Sequence, residues 1–312
     1  MASRMALHPE PVTPGNVELL IGYCREHGAE HDSSYLPGPG FAVTPEQPSY
    51  LLLSGDAVVG AASLMLTPRY ARQGVGRFAI LHSTLPAAEA YAMLLAALQP
   101  HTAGLRKLYL FLPDTRTQTA GFLQGLKFAI ERYSFVLDRH SISSAPVAWP
   151  EGVRVEALLP GDPAGAQQFA DCINDSFARL AGHSPMSGED MRRWFTDEGY
   201  LEGGICLLRE NDRPIGTVAV MADTDDPAQA DISALGIVPA WQGRGLGRRL
   251  LRFAVDLASR RGFLSAGLSV NAENESALRL YLDEGFKVTG TMVCYARHGP
   301  PEVCAAAPAA PS

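Results

Sequence analysis

Three glycines at alternate positions punctuate the run Gln242-Gly243-Arg244-Gly245-Leu246-Gly247. An amphipathic pattern follows at once: Leu246, Leu250, Phe253, Ala254 and Leu257 recur at helical spacing, with arginines opposite. Glycine lets a chain turn tightly and lets its backbone approach a ligand closely. Amides presented in this way at the start of a helix make an anion site. The charge pattern agrees: no acid occurs between Asp231 and Asp256, whereas Arg244, Arg248, Arg249 and Arg252 all do. Cations in a first helical turn oppose the macrodipole by about 0.3–1 kcal/mol each, which a bound polyanion offsets. A solvated basic helix face behind a glycine hinge is the bland alternative. A Walker A loop is excluded, because no G-x-x-x-x-G-K-[ST] occurs. The glycines are also wrongly spaced for the dinucleotide fingerprint G-x-G-x-x-G.

Downstream, Leu268-Ser269-Val270 reads as a strand, followed by Asn271, Asn274, Ala277, Leu280, Tyr281, Gly285 and Phe286. At this point two motifs stand together. The glycine run resembles the Q/R-x-x-G-x-G/A pyrophosphate loop of the GNAT N-acetyltransferases. Asn274-x-x-Ala277-x-x-Leu280-Tyr281-x-x-x-Gly285-Phe286 resembles that family's closing helix and final strand. The resemblance covers about 153–298, and within the family the stretch DISALGIVPAWQGRGLGRRL is similar to the mycothiol synthase branch.

The resemblance implies acetyl-CoA as co-substrate. It implies that the backbone of Leu235, Gly236 and Ile237 pairs with the pantetheine arm. Amides along Gln242, Gly243, Arg244, Gly245, Leu246, Gly247 and Arg248 would hold the pyrophosphate, with arginine side chains on the other phosphates. Asn274 would touch the cofactor near its thiol, and Tyr281 would protonate or hydrogen-bond the departing thiolate. The alternative for Tyr281 is a core tyrosine packing helix against sheet.

Acetyl transfer to nitrogen needs a neutral amine and a base that takes its proton directly or through water. Asp231 opens the strand 231–239, where relatives carry a glutamate. The shorter side chain favours a water relay, and a plain strand-entry carboxylate after Asp225-Asp226-Pro227 is the alternative. Strict alternation puts Asp231, Ser233, Leu235 and Ile237 on one face. Acceptor-side residues are expected from the first helices of this block: Asp171, Asn174, Asp175, Phe177, His183 and Glu189. The expected reaction is acetyl transfer by direct attack to the amine of a small molecule or peptide, with no metal and no nucleophilic cysteine. A cysteinyl sugar acceptor, and a non-catalytic acyl-CoA sensor, are the alternatives.

The elements that must position these residues occur twice. Thr13-Pro14 and Asp162-Pro163 each offer a side-chain cap followed by proline at the first helical position. Each block then has a hairpin: 50–53 with 58–66, and 205–209 with 214–221. Gly60 and Gly216 correspond at an offset of 156, as do the runs 80–83 and 236–239. Phe122, Gly125 and Leu126 match Tyr281, Gly285 and Phe286 at an offset of 159 to 160. A near-constant offset argues for duplication. The predicted fold class is α/β, with two tandem GNAT-like domains, each a mixed, mostly antiparallel sheet flanked by helices. A degenerate domain spans 1–140, a linker 141–152, the cofactor-binding domain 153–298 and a disordered tail 299–312.

In the first block the tempting Gln73-Gly74-Val75-Gly76-Arg77 precedes its strand and reads as a hairpin turn. The position equivalent to the true loop carries Ala87, Glu89 and Tyr91 in place of glycines, with no arginine from 78 to 102. That block is expected to be a scaffold or part of the acceptor cleft. The 312 residues, 46% hydrophobic and 19% charged, suit packed globular structure. A net charge of −7 gives no basic field for nucleic acid or anionic membrane. No signal pattern or spanning apolar run occurs, and five scattered cysteines suit a reducing, cytoplasmic setting. The chain is expected to be a monomer with its two domains packed together. Cys24, His27 and His31 could share a helix face, but a frayed helix end is the simpler reading than a metal site.

Overall fold

The structure is a computed structural model that describes residues 6–299; all but the first residue of the expected tail, 299–312, lies outside the described residues. Two compact units divide the chain. One comprises the residues up to Glu131 together with those from Cys294, and the other comprises Arg132–Val293.

The first unit runs β1 (Leu7–Pro11), α1 (Val17–His27), β2 (Ser49–Ser54), β3 (Ala57–Met65), α2 (Pro68–Ala71), β4 (Val75–Ser83), α3 (Ala88–Leu98), β5 (Lys107–Pro113) and α4 (Thr117–Gly125). Strands β1 to β4 form an antiparallel ladder, and β5 joins β4 in parallel. The cap at α1 differs from expectation. Asn16, not Thr13, is the N-cap residue, and the Thr13 amide donates to Asn16 Oδ1 at 2.7 Å, so the helix starts three residues after Pro14. The 73–77 run is only partly a turn. Gly74 (φ +60°) ends the β3–β4 connection, whereas Val75, Gly76 and Arg77 already lie in β4. A Cβ on Gly76 would stand 2.9 Å from Leu108 Cδ2, so that glycine serves packing. His27 and His31 both pack against the His82 ring, at 5.1 and 5.8 Å between centroids, but among the described residues no group of three or more His, Cys, Asp or Glu is placed to hold a metal.

The second unit begins inside β6 (Ala129–His140) and continues β7 (Val153–Ala157), α5 (Pro163–Phe177), α6 (Gly188–Arg192), β8 (Ile205–Glu210), β9 (Arg213–Ala222), β10 (Gln229–Ile237), α7 (Leu246–Arg260), β11 (Ser265–Asn271), α8 (Glu275–Asp283) and β12 (Lys287–His298) to Val293. Here the Asp162-Pro163 signal holds: Asp162 Oδ1 accepts from the amides of Ala164 and Gly165 at 3.1 and 3.0 Å. Strands β7 to β10 are antiparallel, and β11 joins β10 in parallel. The mixed α/β architecture matches the predicted class in both units.

The division between units does not fall at the expected linker. β6 pairs antiparallel with β11 from Ser265↔His140 to Asn271↔Ser134, so the strand that ends the first block closes the second unit's sheet. Without it β11 would present an open edge of unpaired amides and carbonyls. Cys294 and Ala296, at the end of β12, pack instead with Tyr70 and Tyr109 of the first unit. Residues 141–152 are held along α7. Buried Asp256 accepts from Ser144 Oγ (2.7 Å) and the Ala145 amide (2.9 Å), Ile142 is buried, and Trp149 lies 6.4 Å from Phe253.

Candidate functional site

Strands β10 and β11 pair only at Gln229↔Ser265, Ala230↔Ala266 and Asp231↔Gly267, and beyond Asp231 that ladder ends. The other edge of β10 stays paired with β9 as far as Ile237↔Gly216. The strand therefore carries Leu235, Gly236 and Ile237 past the point where β11 has parted from it. A peptide-like arm entering there would run along an edge that β11 no longer covers, as an added strand does.

A bulge lies between Ser233 and Gly236. Ala234 sits at φ +49°, a conformation that disfavours a side chain by about 1–2 kcal/mol. Buried Thr217 holds it, donating from Oγ1 to the Ala234 carbonyl at 2.7 Å. The bulge also changes the strand's phase. Asp231, Ser233 and Gly236 oppose Met221, Ala219 and Thr217, whereas Ile237 opposes Gly216. Ile237 is thus on the face opposite Asp231, which corrects the single-face reading; simple alternation fails because one strand carries an extra residue. Gly236 faces α5, where a Cβ would stand 2.8 Å from Ser176 Cβ and 3.1 Å from Phe177 Cε2. Ile237 faces α7, with Cγ1 3.9 Å from the Cβ position of Gly247.

After β10, a turn at Pro239–Trp241 leads into the glycine run. Trp241 Nε1 donates to Glu210 Oε2 at 3.0 Å, and Gln242 Nε2 donates to the Ile237 carbonyl at 2.8 Å. Both tie the loop to the sheet. Gly243 and Gly245 have φ +75° and +73°, and nothing lies within 4 Å of where their side chains would be. Gly245 is the N-cap residue of α7, so no side chain caps that helix, and its first turn contains no acid. The helix start is thus uncapped and bordered by open space at both glycines, as an anion site requires. Gly247 is different: a Cβ there would make only ordinary contacts, and packing gives no reason for it.

All four arginines have partners within the protein, and two of them are neutralised by acids. Arg248 binds Asp283 (2.9 Å) and Glu284 (2.6 Å), Arg252 binds Glu284 (2.8 Å), and Arg249 donates to the Ala148 carbonyl. Arg252 and Arg248 hold the Glu284 carboxyl below its usual range. The acids missing from the local sequence are supplied by α8. Arg244 remains at the loop, 5.6 Å from the Trp241 ring and bonded to the Ala240 carbonyl at 3.2 Å.

Asn274 is the N-cap residue of α8, its Oδ1 accepting from the Ala277 amide at 3.3 Å. Tyr281, one turn from the end of α8, is 7% exposed beside Phe286. Burial pushes its phenol up to about 12, so it keeps its proton near neutrality. Half-buried Asp231 has its carboxyl raised to about 6, chiefly by desolvation and then by Asp223, against a hydrogen bond from Ser233. Of the acceptor-side residues, Phe177 reaches Gly236 and stacks on His183 at 6.1 Å. Asn174 clamps the Met186 backbone at 2.8 and 3.0 Å, whereas Asp171, Asp175 and Glu189 are exposed. Sequence reasoning missed Thr217, Glu284 and Ser176, which act through partners distant in the chain and carry no local signal.

The first unit repeats the parting of strands, since β4 and β5 pair only at Val75–Arg77 with Lys107–Tyr109. Its helix α3 begins differently. Ala87 is the N-cap residue, Glu89 lies in the first turn, and Tyr91 is 1% exposed with its ring 5.6 Å from Phe122. Tyr91 corresponds to Gly247 at the offset of 156. A buried ring fills the first turn of this helix where the second unit has bare backbone.

Among proteins of known sequence, the model of the acetyltransferase (GNAT) family matches residues 170–286. The chain is 27% identical over 271 residues to a mycothiol acetyltransferase of Renibacterium salmoninarum, covering 81% of this chain and 72% of that one. Over 71 residues it is 42% identical to the N-alpha-acetyltransferase RimI of Mycobacterium tuberculosis, covering 23% of this chain and 43% of that one. Two solved structures share the fold over nearly the whole chain, each with a TM-score of 0.67. They are a GNAT acetyltransferase from Sphaerobacter thermophilus (19% identity, covering 96% of both chains) and a tandem GNAT protein from the clavulanic acid biosynthesis pathway (15%, covering 95% and 99%). Both span two GNAT-like halves' worth of this chain, in keeping with the duplicated layout. No helix among the described residues is long and apolar enough to cross a membrane. On the family match, the parted strands and the uncapped glycine loop together, the chain carries an acetyltransferase domain of the GNAT family.

Proposed function

We propose that the second unit binds acetyl-CoA between β10 and α7 and transfers acetyl to a small-molecule amine by direct attack. The observation that carries this reading is the parting of β10 from β11 immediately ahead of the uncapped, left-handed glycine entry to α7. In this reading the edge of Leu235, Gly236 and Ile237 pairs with the pantetheine arm. The amides from Gln242 through Arg248 receive the pyrophosphate, with Arg244 beside them. The amine nitrogen attacks the thioester carbonyl, its proton passes to Asp231 directly or through water, and the C–S bond breaks as Tyr281 protonates the sulfur. Asn274 acts through the start of α8, since its side-chain oxygen already caps that helix. The likeness to mycothiol acetyltransferases over most of the chain supports a cysteinyl sugar as the acceptor to try first.

One acetyl-CoA binds per chain. In the first unit, Glu89 lies in the first turn of α3, where its carboxylate repels a phosphate, and no glycine opens the entry to that helix. Titration calorimetry on the full chain is expected to give a single site; two sites of comparable affinity overturn the assignment of the first unit as a scaffold.

Asp231→Asn tests the base. With its carboxyl raised to about 6, Asp231 is protonated and inactive as a base at pH 5 and ionised at pH 7, so wild-type kcat rises through that window. The variant lacks this limb. Its deficit is therefore small near pH 5, largest near pH 7, at about 10²-fold or more, and narrows again once the amine deprotonates unaided. A variant that keeps the wild-type limb near 6 shows that the base is elsewhere.

A further inference from the structure

The register of the second unit's central strands brings one more carboxylate beside the site. Asp231 lies opposite Gly267 on β11, and Gly267 lies opposite Asp138 on β6. Residues directly opposite across neighbouring strands project to the same side of a sheet. Asp138 and Asp231 therefore share the face that carries Ser233 and Gly236, the side of α5. Their Cα atoms are two strand spacings apart, roughly 9–10 Å.

Between them β11 contributes only Gly267, and the side-chain amide of Gln229 lies over it. A Cβ on Gly267 would stand 3.0 Å from Asp138 Oδ1 and 2.7 Å from Gln229 Nε2, so Asp138 leans over β11 toward Asp231. Thr289 Oγ1 donates to Asp138 Oδ2 at 2.6 Å and orients the carboxylate with Oδ1 over the glycine. Its neighbour Arg139 points to the other face, with Nε 3.8 Å from the Cβ position of Gly285, and does not neutralise it. Asp223 adds a further negative charge felt by Asp231.

We propose that Asp138 is a specificity-determining residue of the acceptor site: it accepts a hydrogen bond from a second N–H or O–H donor of the acceptor while the nucleophilic amine lies at Asp231. This rests on the transferase reading above. The acceptors it selects are compact amines that carry an ammonium or hydroxyl group a few bonds from the reacting nitrogen, such as diamines and amino sugars. A monofunctional amine reaches Asp231 but gains nothing from Asp138.

The test uses the full chain and thiol release from acetyl-CoA, with putrescine, glucosamine and n-butylamine as acceptors. In Asp138→Asn, KM for putrescine, glucosamine or both is expected to rise about 10-fold. The KM for acetyl-CoA, kcat, and every constant with n-butylamine stay as in wild type, and Asp138→Glu recovers part of the loss. A rise confined to one of the two acceptors identifies the second donor as ammonium or hydroxyl. An unchanged KM for both, or an equal rise with n-butylamine, overturns the proposal and leaves the transferase reading intact. Wild-type chain that binds acetyl-CoA and releases no thiol with any amine overturns the transferase reading, and this proposal with it.

Discussion

Arg244→Glu combined with Gly245→Glu is expected to remove acetyl-CoA binding while leaving the fold in place. Both residues are exposed at the entry to α7, and neither side-chain position touches the core. Gly245 sits at φ +73°, so any side chain there adds about 1–2 kcal/mol of backbone strain, too little to unfold a domain of this size. The electrostatic change is larger. A carboxylate roughly 5 Å from a pyrophosphate charge, at an effective dielectric near 20, contributes about 3 kcal/mol of repulsion. Two of them, with Arg244 lost as well, lower affinity by more than about 10³-fold. Calorimetry is expected to show no heat of binding, while far-UV circular dichroism and the melting temperature stay close to wild type. Gly245→Ala separates strain from charge and should cost about tenfold at most. Micromolar binding retained by the double variant would place the pyrophosphate elsewhere.

Tyr281→Phe is expected to lower kcat by about 10²–10⁴-fold with acetyl-CoA affinity unchanged. The substitution deletes one hydroxyl from a ring that is packed beside Phe286 and otherwise keeps its shape. Burial raises the phenol to about 12, so at neutral pH the group is a hydrogen-bond donor and not a phenolate. A departing thiolate in the same apolar surroundings needs such a donor more than it would in water. The measurement is a single-turnover rate under saturating acetyl-CoA, where chemistry and not product release is observed. If that rate matches wild type, Tyr281 is a packing residue of α8 and the thiolate leaves unassisted.

Both variants concern features legible without coordinates, and for the same reason. The demand for φ > 0 at Gly243 and Gly245 is met within the loop itself, so it shows as glycine spacing. The amphipathic repeat from Leu246 to Leu257 and the Asp162-Pro163 cap are equally local. The hairpins 49–65 and 205–222 follow from alternation between turn signals. Even the loss of glycine at Ala87, Glu89 and Tyr91 could be read from the repeat offset alone.

What the tertiary structure decided lies wherever a residue acts through a partner distant in the chain. The basic first turns of α7 look unopposed along the chain, yet Asp283 and Glu284 neutralise Arg248 and Arg252 from α8. The bulge at Ala234 turns Ile237 away from Asp231, and alternation over a nine-residue strand gives no warning of an extra residue. Asn16 and not Thr13 stands at the N-cap position of α1, without a capping hydrogen bond from its side chain, because residue type alone does not say where the backbone turns helical. The expected boundary at 140 put residues 129–140 with the first block, because the pattern of a strand does not say which open edge it closes. That edge choice set the unit boundary and put Asp138 in the row of Asp231. Local demands leave their mark on local residue types; pairing between distant segments is settled by which surfaces are left to cover.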